Sequence, residues 1–291
     1  MGLVEAESGQ LWLRFWGVRG SYPTPGRTTV RTGGNSVCME VRAGNLRLAF
    51  DAGTGLIAMG NDLCQQGGSR KSVHIFLSHY HHDHIEGLRF FRPLYERGWR
   101  TTVYGPALPA VTLPRVLAQS MARPFFPVGL DELPGRLQLR TLASDTIVRL
   151  GDPSSPLCVR VRISHAHPKI GVALYRLEFR KHAIVYATDI EAARGGFDDV
   201  VALAQGADVL VHDAQYTDEE YRDARRSRIG WGHSTIAMAC EAARAASVRH
   251  LFLYHHDPSH DDAQMRALER EARRLFPHTQ AAREGLEFRI L

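Results

Sequence analysis

Residues 73–88 read VHIFLSHYHHDHIEGL. Val73, Ile75, Phe76 and Leu77 make a short apolar run of the kind an interior strand needs. The run stops at Ser78, and His79, His81, His82, Asp83 and His84 follow at once. In an extended segment residues two apart share a face, so His79 and His81 converge on one point. Asp83 and His84 are adjacent and point differently, which suits a second ion beside the first. Imidazole and carboxylate are ligands that zinc and similar divalent metals accept. So much polarity beside a buried strand is costly unless something coordinates it. A solvated His-rich loop is the competing reading.

The chain around this stretch has the composition of a globular protein. Its 291 residues are 44% hydrophobic and 23% charged, enough to bury a sizeable core. No run approaches the length of a membrane span, and MGLVEAESGQ has no apolar core of a signal peptide. Cys38, Cys64, Cys158 and Cys240 are far apart and form no CxxC pair. They read as reduced thiols, and the expected location is the cytoplasm. The formal charge is +5, which favours anionic partners without naming one. Arg222, Arg225, Arg226 and Arg228 either steer a phosphate-bearing substrate or form a solvated face. Nothing has the pattern of a dedicated nucleic-acid binder.

Along the chain, one event recurs. A hydrophobic strand ends and a His or Asp stands at its C-terminal lip, after residues 77, 163, 187, 211 and 254. These ends deliver His79 to His84, then His165 and His167, Asp189, His212-Asp213, and His255. A sheet presenting all of them along one edge gathers them in a crevice, where open α/β sheets bind their ligands. Candidates so widely spread require one folded unit, so residues 1–291 are read as a single domain. Asp51, in Asp51-Ala52-Gly53-Thr54-Gly55, sits just past another strand, either beneath the polar site or in a plain turn. Helices are expected over 55–66, 85–97 (interrupted at Pro93), 110–118 and 261–275, and after Gly232-His233-Ser234. Ser234 or Thr235 is available to cap that last one. Phe90, Phe91 and Tyr95 read as core more than as a pocket wall.

The segment His79-Tyr80-His81-His82-Asp83-His84 matches HxHxDH, and the chain resembles the metallo-β-lactamase superfamily, its ribonuclease Z and PhnP-like phosphodiesterase branch in particular. The opening Phe15-Trp16-Gly17-Val18-Arg19-Gly20-Ser21, with Gly33-Gly34-Asn35-Ser36, is similar to a bacterial cyclic-nucleotide-phosphodiesterase-like group. The resemblance implies an α/β fold, the four-layer αββα sandwich of the metallo-β-lactamase fold. It implies two divalent metal ions, by default Zn2+, with Mn2+ or Fe2+ also compatible with the ligand set. His79, His81 and a third His would hold the first; Asp83, His84 and His255 the second; Asp189 would bridge them. The third His is His167 ahead of Pro168, with His165 in competition because the spacing carries one extra residue. His82 occupies a variable position. Asp51 and His212 are expected behind the ligands. Gly232-His233-Ser234 and Asp213 resemble the branch's catalytic His and acid, with Asp shorter than the usual Glu.

The resemblance therefore implies a phosphodiesterase in which a metal-bridging hydroxide attacks a small phosphodiester, most of all a cyclic nucleotide, with Asp83, His233 and Asp213 catalytic. Ribonuclease Z carries an arm for tRNA, in many bacterial forms inserted between the third metal His and the bridging Asp. Here Pro168 to Thr188 has room only for two strands and a turn, so no tRNA exosite is expected. Relatives are commonly dimers, and the exposed part of 85–97 is the expected contact. Two alternatives stand: a metallo-hydrolase of a thioester, lactone or β-lactam, and a non-catalytic metal-dependent nucleotide-binding protein.

Overall fold

A computed structural model describes residues 9–66, 71–109, 111–154 and 156–291. The signal-peptide reading of the first residues and the expected helix start at Ala110 lie outside them. Strands β1 (Leu11–Gly17), β2 (Cys38–Ala43) and β3 (Leu46–Phe50) lead into helix α1 (Gly55–Gln66). Next come β4 (Ser72–Phe76), the one-turn α2 (His82–Ile85), β5 (Arg100–Pro106), α3 (Leu113–Ser120) and β6 (Arg136–Leu142). The second half runs β7 (Ile147–Leu150), β8 (Leu157–Ser164), β9 (Val172–Phe179), β10 (His182–Ala187), α4 (Gly196–Ala204), β11 (Val209–Asp213) and α5 (Asp218–Tyr221). It continues with α6 (Ile236–Ala245), β12 (His250–Tyr254), α7 (Asp262–Leu275), β13 (Thr279–Ala281) and β14 (Glu287–Arg289).

Two seven-stranded sheets result, in the orders β14-β1-β2-β3-β4-β5-β6 and β13-β12-β11-β10-β9-β8-β7. The last strand thus returns to the first sheet and closes it beside β1. Side chains alternate between the faces of each strand, and the core divides accordingly. Phe15, Val41, Phe50 and Phe76 of the first sheet meet Tyr175, Tyr186, Val211 and Tyr254 of the second. On the outer faces, Val73 and Ile75 pack against α1 and α3, while Leu210 and Leu253 pack under α4, α6 and α7. That is a four-layer αββα sandwich.

The adjacent runs β3-β4-β5-β6 and β10-β11-β12 are parallel. Parallel strands bring their C-terminal ends to one edge, and that edge gathers the strand-end residues.

Residues 85–97 depart from the expected helix. After α2 the chain makes two 3-10 turns, Glu86–Phe90 and Arg92–Tyr95. Gly87 and Pro93 each interrupt α-helical continuation. Phe91 is buried in the core and Phe90 is 54% exposed. Helix α6 is capped by Thr235, whose hydroxyl accepts from the Met238 N–H.

Candidate metal centre

The site begins where β4 stops. After a bend at Ser78 the backbone is extended at His81 (φ −66°, ψ 155°) and then turns into α2. His79 and His81 are therefore presented ahead of the helix, and Asp83 and His84 from a helical turn. Behind them lies Asp51, at the end of β3 and in the left-handed region (φ 60°). Its carboxylate accepts from the Ser78 N–H (2.7 Å), the Ser78 hydroxyl (2.8 Å) and the Tyr186 hydroxyl (2.8 Å). His84 Nδ1 donates to the same carboxylate at 2.8 Å, and His79 Nδ1 donates to Ser78 Oγ at 3.0 Å. Holding Nδ1 in this way turns Nε2 of each ring toward the cluster.

The other half comes from the second sheet. Asp189 follows β10 and His255 follows β12, both with positive φ (50° and 59°). Backbone held in that region by non-glycine residues is costly and concentrates at functional sites. Three overlapping groups form, each with ligand atoms within 4.8 Å of one another; one of them, Asp189, Asp213, His233 and His255, adjoins the other two. His79, His81, His167 and Asp189 make the first of those two, and Asp83, His84 and His255 the second. The Asp189 carboxylate divides between them. Its Oδ1 lies 3.7 Å from His79 Nε2, and its Oδ2 lies 3.2 Å from His84 Nε2 and 3.1 Å from His255 Nε2. Asp83 Oδ2 is 3.2 Å from His84 Nε2 and 3.3 Å from His255 Nε2.

A pair of divalent ions fits these donors. His79 Nε2 and His84 Nε2 are buried and find no hydrogen-bond partner, a state the interior rarely tolerates. Electrostatics agree. Burial and neighbouring imidazoles hold His79 well below its ordinary pKa, and burial chiefly brings His167 down to about 4. Both rings then keep a free lone pair. At His84 burial opposes the charge, but Asp83, Asp189 and Asp51 together raise the pKa well above the usual imidazole range. The same carboxylates would favour a divalent cation there.

Beside the two groups, His233 Nδ1 donates to Asp213 Oδ2 at 2.7 Å. Asp213 Oδ1 accepts from the backbone N–H groups of Gln215 and Ser234, both at 3.2 Å. His233, His81, Asp83, Asp189 and His255 share a cavity of about 480 Å3 with Tyr80, His82 and Ser21. His82 lines its mouth and belongs to neither group.

His165 is exposed, whereas His167 is buried with its Nε2 3.4 Å from His81 Nδ1. His212, expected behind the ligands, is a correction. It shares the helix-facing side of β11 with Leu210, and its Nδ1 bonds the Asp213 carbonyl at 2.6 Å. Strand alternation sends Asp213 inward and His212 out.

Several residues support the ligands in ways their sequence positions did not indicate. Gln215 accepts from His255 Nδ1 at 2.8 Å, and the Ser21 N–H donates to Asp83 Oδ2 at 2.8 Å. Buried Glu191 accepts from the N–H groups of Gly230 and Gly232 and from the Tyr221 hydroxyl, pinning the loop before His233. Two glycines are required by contact. A Cβ on Gly20 would lie 2.3 Å from His255 Nδ1, and one on Gly232 (φ +92°) would lie 2.4 Å from His167 Nδ1. Gly20→Ala is expected to weaken metal binding about 10- to 100-fold, the usual cost of disturbing a ligand's support. Titration of the apoprotein with zinc checks this, with unchanged melting of the metal-free chain as control.

Fold and site together define a metal-dependent hydrolase. The family model described as "Beta-lactamase superfamily domain" matches residues 47–256, and the chain belongs to that superfamily. A ribonuclease Z from Gemmatimonas aurantiaca is 29% identical, with 96% of each chain covered. Among solved structures, unliganded yeast PDE1 superposes with a TM-score of 0.67 at 14% identity, covering 97% of this chain and 100% of that one. The short form of human tRNase Z superposes with a TM-score of 0.65 at 20% identity, covering 95% and 98%. These likenesses establish the metallo-β-lactamase fold.

Proposed function

We propose that the chain is a dinuclear metal-dependent phosphodiesterase acting on a small phosphodiester, foremost a cyclic nucleotide. The carrying observation is the divided Asp189 carboxylate, with His233, held by buried Asp213, lining the same cavity. His79, His81 and His167 would hold one ion, Asp83, His84 and His255 the other, and Asp189 both; zinc is the default, manganese or iron alternatives. Such ions supply Lewis acidity toward a phosphoryl oxygen and a water nucleophile at neutral pH. Asp83, beside His255, would orient an attacking water by accepting its hydrogen bond. His233, oriented by Asp213, gives a hydrogen bond or proton to the phosphate or leaving oxygen. Simple acyl hydrolysis leaves that pair without a task, which disfavours thioester, lactone and β-lactam substrates.

The small substrate is supported by β9 and β10, joined through the two-residue turn Arg180-Lys181. No tRNA-binding arm is inserted there. RNA is the second reading, favoured by the relative named ribonuclease Z, which aligns along nearly all of both chains. One panel separates the readings: 2′,3′- and 3′,5′-cyclic nucleotides, bis(p-nitrophenyl) phosphate, and a precursor tRNA with a 3′ trailer. Cyclic-nucleotide turnover without trailer removal is expected. Efficient trailer removal with cyclic nucleotides inert would replace the first reading by the second. Two bound metals with no diester cleaved would discard both and turn the search to acyl esters and nucleotide binding.

The loop pinned by Glu191 also carries Arg222, Arg225, Arg226 and Arg228, and the Arg228 guanidinium lies 5.1 Å from the Tyr216 ring, itself edge-on to His233 at 5.9 Å. We read these cations as steering anionic substrate. Converting Arg222, Arg225 and Arg226 to Gln is expected to raise KM about three- to tenfold at low salt, leave kcat unchanged and flatten the salt dependence. An unaltered salt dependence would make them merely solvated.

We take residues 1–291 as one hydrolase domain, since both sheets build a common core. No helix among the described residues is long and apolar enough to cross a membrane. All four cysteines are unpaired, in keeping with a cytoplasmic location. A homodimer through the face carrying exposed Phe90 completes the reading, and light scattering of Phe90→Asp against the parent tests it.

A further inference from the structure

The first sheet has a second concavity at the end opposite the metal centre. Its volume is about 410 Å3, and its polar lining is Asn45, Arg47, Lys71, Ser72, His74 and Arg100. Three of these are cations, the others carry donors, and no carboxylate is among them. Arg47 is already oriented: it donates to Glu40 Oε1 and to Gln66 Oε1, each at 3.0 Å. Glu40 also accepts from Arg42 at 2.7 Å, and Arg42 lies 3.6 Å from Asp62 as well. Lys71 and Arg100 enter no ion pair among the described residues, and Glu96, which senses the Lys71 charge, closes on Arg92 at 2.6 Å. The Arg100 N–H donates to the Lys71 carbonyl at 2.8 Å, which ties the two cation-bearing segments together. Arg136 of β6 stands in register beside Arg100.

Like charges gathered around one hollow repel each other, and an entering anion relieves that repulsion. The hollow lies within the size range of small-molecule sites, far more than a bare phosphate fills. Leu46 and the aliphatic stems of Lys71 and the arginines provide apolar wall for an organic body. We propose that this cavity binds a phosphorylated small molecule of about mononucleotide size. Its phosphate lies between Lys71, Arg100 and Arg47, and its organic part lies against Leu46 and His74. Ser72 and His79 are seven residues apart along β4 and its extension, roughly 20 Å at strand rise, so the ligand is separate from substrate. The assignment does not depend on the phosphodiesterase reading.

The test is calorimetric titration of the metal-loaded protein with adenosine 5′-monophosphate. Two binding events are expected in the parent. The double variant Lys71→Glu/Arg100→Glu should lose one, weakened by about tenfold or more, while cleaving bis(p-nitrophenyl) phosphate as the parent does. Lys71→Gln/Arg100→Gln, which removes charge without reversing it, should weaken the same event, with parental melting temperature as evidence of folding. Asp189→Ala should keep that event and lose the other. Parental binding in both double variants, or loss of all binding in Asp189→Ala, overturns the proposal. So does a short RNA that displaces the monophosphate at lower concentration than inorganic pyrophosphate does, because the cavity would then serve a nucleic-acid backbone.

Discussion

Asp189→Ala is expected to strip both ions from the protein and to lower kcat/KM toward any phosphodiester by roughly a thousandfold or more. The reason is geometric. Asp189 Oδ1 faces His79 while Oδ2 faces His84 and His255, so one side chain serves both groups. Losing any single imidazole leaves the other ion its full set; losing Asp189 opens both. Removing metal forfeits several kcal/mol of charge stabilisation in the transition state, at about 1.4 kcal/mol per tenfold in rate. Asp189→Asn keeps an acceptor oxygen on one side only and should retain part of the metal. Elemental analysis after dialysis, alongside circular dichroism, reads the result. Two full equivalents of metal in Asp189→Ala would refute the shared carboxylate.

His233→Ala should cut kcat by about a hundred- to ten-thousandfold, the range for a positioned proton donor, with metal content intact. The loss should be small for bis(p-nitrophenyl) phosphate, whose leaving group needs no proton, and large for a nucleotide diester. Equal losses on both would reduce His233 to a structural role. The pH profile gives a second handle. Burial works against the imidazolium, but the charge and hydrogen bond of Asp213 prevail and push the His233 pKa up to about 9. The protonated donor exists below that pKa, so activity falls as pH rises through it. Bound divalent ions draw the value down, and the alkaline limb of the loaded enzyme should lie below 9. Asp213→Asn removes the charge that sustains the imidazolium and should shift the limb further toward neutrality. In the metal-free chain the same raised pKa contributes stability that is complete below the free-imidazole value and is lost as pH rises through about 9. An unmoved limb in Asp213→Asn would break the proposed pairing.

Much of this site could be read from residue order. A strand pattern followed at once by His or Asp is a local signal, and the ends at His79, Asp189, Asp213 and His255 each carried it. Helix patterns depend on neighbours in the chain, and the ranges 55–66 and 261–275 fall close to the observed α1 and α7. The short α4, α5 and β13 carry patterns too weak to mark them in the residues alone. The break-up of 85–97 into 3-10 turns was half legible, since Pro93 was visible but the effect of Gly87 was not. His212 and Asp213 looked equally promising as adjacent polar residues, because adjacency does not say which one faces the crevice.

The identities of the candidate ligands were thus local information, and HxHxDH carried the family with it. Partnership was not. Gln215 holding His255, Tyr186 reaching Asp51 and Glu191 pinning the loop before His233 join residues far apart in sequence. The division of the Asp189 carboxylate also depends on where two separate sheets place their strand ends. The same holds for Gly20 and Gly232: both stand in segments the sequence singled out, but the physical need for glycine becomes visible only with His255 and His167 packed against them. A sequence specifies which groups are available and how each local segment turns. Packing across the sandwich decides which of them meet, because contact distance is set by the sheets' separation and register rather than by the number of residues between.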